Sequence, residues 1–366
     1  AYNKEKPTTR VNIMKYIRFI LLPITWIYAF VVWIRHSMFD AGTLKSRKFA
    51  IPTICVGNIT VGGTGKTPFV EYLIRLLQSG RKLAVVSRGY KRKSKGMQVS
   101  DENATAEILG DEPYQIFRKY PKTLVVADSN RCRAIDYIEA NHANVDAVIL
   151  DDAFQHRYVN AGLNILLIDY NRPISKDCML PAGRLRDLKS AQKRANIIVV
   201  TKCPKDLKPI DFNNLTKEIK PLPYQDLFFA TLDYDTPYHC LTGEKVELTK
   251  EQSLVLFTGI AKSEPLEEYL REQVKELRSI KFADHHNYNN GDNDKIRAEF
   301  LKFANENRWI ITTEKDAAKL SDFSDKIKER LIIIPVRVKI LNEGDSVLSK
   351  KIRDYVEENR RNSQLS

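Results

Sequence analysis

At 366 residues the chain is too long for one comfortable core, because cores stop growing near ~250 residues, and two lobes are predicted. With 43% hydrophobic and 29% charged residues it belongs with neither globally disordered chains nor polytopic membrane proteins. Its formal net charge of +13 suits contact with nucleic acid, lipid headgroups or a phosphorylated substrate, or simply a solvated surface; the sign does not choose among them.

Residues 19–34 (FILLPITWIYAFVVWI) carry no charge and are flanked by Arg10, Lys15 and Arg18 before and Arg35, His36 and Lys45 after. The run is shorter than the ~20 residues of a spanning helix, and Pro23 weakens an interior turn. An interfacial or partly inserted anchor is predicted, with Trp26, Tyr28 and Trp33 suited to the headgroup level. A helix buried on a catalytic domain and a cleaved signal peptide are the other readings; no small-residue cleavage site follows Ile34.

Residues 51–56 (IPTICV) read as a buried strand, and Pro68 opens an amphipathic run that Gly80 stops. Between them lies Thr60-Val61-Gly62-Gly63-Thr64-Gly65-Lys66-Thr67, a phosphate-binding loop in its required strand–loop–helix context. Backbone N–H groups wrap phosphates where no side chain intrudes, Lys66 reaches the β- and γ-phosphates, and the Thr67 hydroxyl is placed for Mg²⁺. The loop departs from the common pattern at its first position, Thr60, although Gly57 lies three residues upstream. ATP and Mg²⁺ are the implied cofactors.

Residues 145–150 form an apolar strand that delivers Asp151 and Asp152, either of which can hold Mg²⁺; an N-cap or turn role accounts for one carboxylate but not for the pair. Further short apolar runs at residues 83–86, 124–127, 164–168 and 197–200 alternate with helical stretches, so a mostly parallel α/β sheet with right-handed crossovers is predicted. The five cysteines are scattered, odd in number and without metal-ligand spacing, as in a reducing compartment, and Cys55 and Cys203 read as core filler.

Further motifs stand at the ends of these runs: Ser87-Arg-Gly-Tyr90, Gly110-Asp-Glu-Pro113, Asp151-Asp-Ala-Phe-Gln-His156, Leu180-Pro-Ala-Gly-Arg-Leu-Arg186-Asp187, Thr201-Lys-Cys-Pro204, Phe282-Ala-Asp-His-His286 and Thr313-Glu-Lys-Asp316. In this order, with the phosphate loop, the chain closely resembles tetraacyldisaccharide 4′-kinase, the lipid A 4′-kinase family of Gram-negative bacteria, from the apolar segment to about Leu320. The resemblance implies ATP-dependent phosphorylation of the 4′-hydroxyl of an acylated glucosamine disaccharide 1-phosphate. It implies lipid IVA as the product, formed at the cytoplasmic face of the inner membrane, and the disaccharide 1-phosphate and the membrane surface as partners, with no nucleic acid. It also implies an N-terminal membrane-associating helix (residues 1–40), a P-loop kinase domain (41–225) and a smaller C-terminal α/β domain with linker strands (226–366).

Asp111 and His285 match the family's catalytic pair, one of which accepts the acceptor hydroxyl's proton. Read alone, Asp111 is a helix N-cap ahead of Pro113. Asp187 is a further candidate for Mg²⁺; it stands where the family usually has Glu, and its side chain is one methylene shorter in reach; Ala153 replaces a Gly. Arg131, Arg184 and Arg186 are candidates for the substrate's 1-phosphate or the transferring phosphate, against surface salt bridges. The cations Arg88, Lys91, Arg92, Lys93 and Lys95 suit anionic lipid or a solvated loop. Two rival readings remain. Thr201-Lys202 resembles the guanine-reading [NT]-K-x-D signature of GTPases, with Pro204 in place of its Asp, and a related ATP-dependent ligase shares the loop. A non-catalytic, membrane-bound ATP switch needs no hydroxyl base.

Overall fold

The computed structural model describes residues 8–90, 92–260, 262–284, 286–320 and 323–365, with side chains between residues 19 and 360. The chain divides into two compact units: residues up to Arg88, Asp128–Thr231 and the stretch from Lys339 form the first, Gly89–Ala127 and Leu232–Val338 the second.

Six parallel strands build the sheet of the first unit, in the order Asp226–Tyr234, Ile197–Thr201, Leu163–Asp169, Thr53–Gly57, Ala147–Asp151, Leu83–Ser87. Every residue of Thr53–Gly57, Ala147–Asp151, Leu83–Ser87 and Ile197–Thr201 is buried. Helices on both faces explain why these strands read as unbroken apolar runs. The first strand in the sequence lies mid-sheet, so the loop that leaves its carboxyl end opens where open α/β sheets bind ligands. Helix Lys66–Leu77 follows, burying Phe69, Val70, Leu73, Ile74 and Leu77 on one face. The terminal helix Gly344–Leu365 buries Leu348, Ile352 and Val356, and Tyr355 exchanges hydrogen bonds with the Thr53 backbone.

The N-terminal helix runs unbroken from Thr8 to Asp40, through Pro23. Its Phe19–Asp40 portion is long and apolar enough to cross a membrane, at mean hydropathy 1.6. One stripe packs inward through Thr25, Tyr28, His36 and Phe39, whereas Phe19, Ile20, Ile24, Trp26, Ile27 and Phe30 are exposed. The helix is thus docked along one stripe and apolar and exposed along the other.

In the second unit, Glu276–Lys281, Ser253–Thr258, Arg308–Thr313 and Leu331–Ile334 are parallel, and Tyr238–His239 closes the edge antiparallel. Strand alternation sends Leu254 and Leu256 into one apolar cluster and Val255 and Phe257 into another. Helix Asp111–Lys119 starts behind Gly110, at φ 97°, so Asp111 occupies the first turn and the cap is Gly110. Arg92 and Lys93 of the basic cluster are tied down, by the Ala127 and Gly96 carbonyls and by Glu107; Lys91 lies outside the described residues. The architecture is a phosphate-loop α/β fold with a second α/β unit and an N-terminal apolar helix.

Candidate active site

The phosphate loop is a backbone cradle. Gly62 and Gly65 have φ of 103° and 82°, values that L-residues rarely adopt, and a side chain at Gly63 would point into open space. Gly65 is the N-cap of helix Lys66–Leu77 and offers no capping side chain, so the first-turn N–H groups remain for an anion. Asn58 pins the loop from within, its Nδ2 donating to Thr64 Oγ1 at 2.7 Å. Gly57 is needed for a different reason: a Cβ there would lie 2.6 Å from that of Phe154.

The segment carrying Arg184 and Arg186 is strapped to the loop entrance. Val61 N donates to Arg184 O at 2.8 Å, Arg186 N to Ile59 O at 2.9 Å, and Thr60 bridges Leu185. Arg186 thereby meets Asp152 with both terminal nitrogens and also bonds Asn58, while the Arg184 side chain is exposed. Lys66 Nζ lies 3.8 Å from Asp152 Oδ1. Burial pushes the Asp152 carboxyl up, but Lys66 and Arg186 outweigh it and hold the group below its ordinary range. Asp152 sits at φ 49°, a strained setting for a non-glycine residue that turns it off the strand end. Asp151 is 1% exposed and accepts from Ser87 Oγ at 3.3 Å. Arg131 is likewise buried; its Nε has no hydrogen-bond partner among the described residues. Burial lowers its pKa against the pull of Asp151 and Asp152.

Asp187 is committed elsewhere in the same unit. Its Oδ1 meets His36 Nε2 at 2.5 Å and its Oδ2 accepts from Arg194 at 2.8 Å. Burial raises its pKa, and His36 and Arg194 more than reverse this.

Asp111 belongs to the second unit. Its Oδ2 is 3.0 Å from Nζ of Lys319, a residue whose side chain is 6% exposed, and the same ammonium donates to His286 O at 3.3 Å. Lys319 therefore draws the first turn of helix Asp111–Lys119 and the backbone of His286 together. His285 itself lies outside the described residues. Thr313 caps the short helix Glu314–Ala317, and Asp316 binds the Gly259 N–H at 3.1 Å, which makes that motif a local clasp.

The model of the tetraacyldisaccharide-1-P 4′-kinase family matches residues 17–356. The chain belongs to this family. A tetraacyldisaccharide 4′-kinase of Phocaeicola vulgatus is 44% identical, covering 94% of this chain and 97% of that protein; one of Flavobacterium johnsoniae is 42% identical, covering 94% and 99%. The crystal structure of LpxK from Aquifex aeolicus in complex with ATP superposes with a TM-score of 0.73 at 30% identity, covering 93% of this chain and 99% of that one.

The residues fit the cofactors. The cradle suits a polyphosphate, and the unpartnered Arg131 Nε is a donor awaiting an anion. Among the described residues no group of three or more His, Cys, Asp and Glu could enclose a metal. Mg²⁺ needs no such group, because it binds through one or two protein oxygens, phosphates and water. Asn58, Lys319 and His36 were missed in the sequence. Each is defined by a partner distant along the chain, and only the position of Asn58 within GNITVGGTGKT could have flagged it.

Proposed function

We propose that this kinase transfers the γ-phosphate of ATP to the 4′-hydroxyl of an acylated glucosamine disaccharide 1-phosphate, giving lipid IVA in lipopolysaccharide biosynthesis. Membership of the family carries the acceptor; the glycine cradle capped by Lys66 carries the donor. The backbone of residues 60–67 and the Lys66 ammonium hold the phosphates in line. Bound Mg²⁺ would supply positive charge to offset what develops on the transferring phosphate. The Thr67 hydroxyl and the Asp151 carboxylate would hold it, with Asp152 beside them fixing Lys66 and Arg186. Asp187 acts as the hub that joins His36 and Arg194. Arg131 and Arg184 offer guanidinium nitrogens to phosphate oxygens, whereas the fork of Arg186 is held by Asp152 and Asn58. Asp111, oriented by Lys319, and His285 are the two groups of which one accepts the hydroxyl proton. The exposed apolar stripe of the N-terminal helix holds the enzyme to the cytoplasmic face of the inner membrane, where the acyl chains of its substrate lie.

The test is direct. Given γ-labelled ATP and the detergent-dispersed disaccharide 1-phosphate, the purified protein is expected to place the label on the 4′-position. No transfer by folded protein that binds ATP would overturn the acceptor assignment.

A further inference from the structure

We infer that Thr201 and Lys202 are positioning residues for ATP, setting the peptide planes of the phosphate loop from behind. Strands Leu163–Asp169 and Ile197–Thr201 end level, Asp169 opposite Thr201 in the parallel register. The next residue, Lys202, takes φ 59°, and its side chain turns back to Asp169 Oδ2 at 2.8 Å while its ammonium also donates to Gly63 O. Thr201, 1% exposed, donates its hydroxyl to Thr64 O at 2.8 Å. Two consecutive loop carbonyls, Gly63 and Thr64, are thereby held toward the strand ends.

A trans peptide points its C=O and the following N–H in opposite directions. Fixing the Gly63 and Thr64 carbonyls on one side therefore fixes the Thr64 and Gly65 N–H groups on the other, as donors for phosphate. A loop with glycines at 62, 63 and 65 has wide conformational freedom, and anything that settles its peptide planes before binding strengthens binding. This accounts for a motif that Pro204 disqualifies from reading a guanine base: Lys202 is spent on Asp169 and the loop.

The inference rests on ATP being the donor. Full-length protein in detergent is titrated with MgATP, MgADP and AMP, and its melting temperature is recorded. Thr201→Val and Lys202→Met are each expected to weaken MgATP and MgADP by about tenfold or more while AMP changes by less than about twofold. Thr201→Ser, which restores the hydroxyl, is expected to bind within about threefold of the parent. Undiminished MgATP affinity in both variants, or an equal loss for AMP, overturns the inference. A parent protein that bound no MgATP would instead sink the functional reading beneath it.

Discussion

Arg186 grips both carboxylate oxygens of Asp152, Nη1 at 3.1 Å from Oδ2 and Nη2 on Oδ1, while its chain neighbours strap residues 59–61 of the phosphate loop. The pair fixes the loop entrance to the end of the strand that carries the carboxylates. A lysine can keep the charge but cannot reproduce a planar two-pronged contact. Hydrogen bonds to charged groups contribute ~1.5–3 kcal/mol, so Arg186→Lys should lower kcat/KM for ATP by roughly 10- to 100-fold. Steady-state kinetics check this, and a variant within threefold of the parent contradicts it.

The ammonium of Lys319 spans Asp111 and the backbone of His286. If Asp111 takes the hydroxyl proton, its aim matters more than its presence. Lys319→Met should lower kcat by about tenfold or more, with KM for ATP within about twofold. A change confined to KM for ATP would show that Lys319 serves nucleotide binding instead.

His36 is pinned from two sides. Arg157 Nη1 lies 2.9 Å from Nδ1 and has only protons to offer, so Nδ1 accepts and the ring proton sits on Nε2, facing Asp187. The neutral imidazole thus satisfies both neighbours. His36→Leu removes a donor from a carboxylate that is 1% exposed and should cost about 1–3 kcal/mol of unfolding free energy. Urea denaturation measures it; an unchanged midpoint would mean that Arg194 alone satisfies Asp187.

Much of this was readable in the sequence because burial on both faces turns parallel strands into continuous apolar runs, and because a phosphate loop is local. The first strand was expected at residues 51–56 and occupies Thr53–Gly57; the following helix begins at Lys66, with Pro68 in a first turn where no N–H is required. Asp111 as an N-cap failed because the helix starts one residue earlier, with Gly110 at φ 97° in the cap position and Asp111 already in the first turn. Pro23 sits inside a helix because the turn it weakens is exposed and the flanking apolar residues sustain it. Contacts such as Asp187 to His36 and Asp111 to Lys319 were invisible because they join side chains far apart in sequence, and no local spacing encodes them.

His156 supplies a pH prediction. Burial, then Arg131, Arg35 and Arg88, lowers its pKa from 6.5 to about 4, and its Nε2 has no partner among the described residues. Between those values the unfolded chain binds the proton and the folded one does not, so stability falls as pH drops from 6.5 toward 4. His156→Gln should flatten that part of the slope. Unfolding free energies at several pH values across the window check this, and parallel curves for parent and variant would exclude His156 as its source.

The N-terminal helix offers the last test, because its two faces differ in what covers them. The inward stripe is tied to the first unit: Tyr28 donates to Arg186 O at 3.1 Å, and Thr25 Oγ1 accepts from Ala182 N at 3.1 Å. The outward stripe, with Phe19 75%, Ile20 73% and Ile27 65% exposed, is left largely uncovered by the described residues. Full burial of such a side chain stabilises by ~1.5–3 kcal/mol. Changing Phe19, Ile20, Ile24 and Ile27 to serine should therefore reduce partition onto anionic vesicles by about 10²-fold or more. Turnover of a detergent-dispersed acceptor should be largely retained, since the inward contacts remain. Vesicle sedimentation paired with that assay separates the two roles, and undiminished sedimentation would transfer membrane attachment to the basic surface.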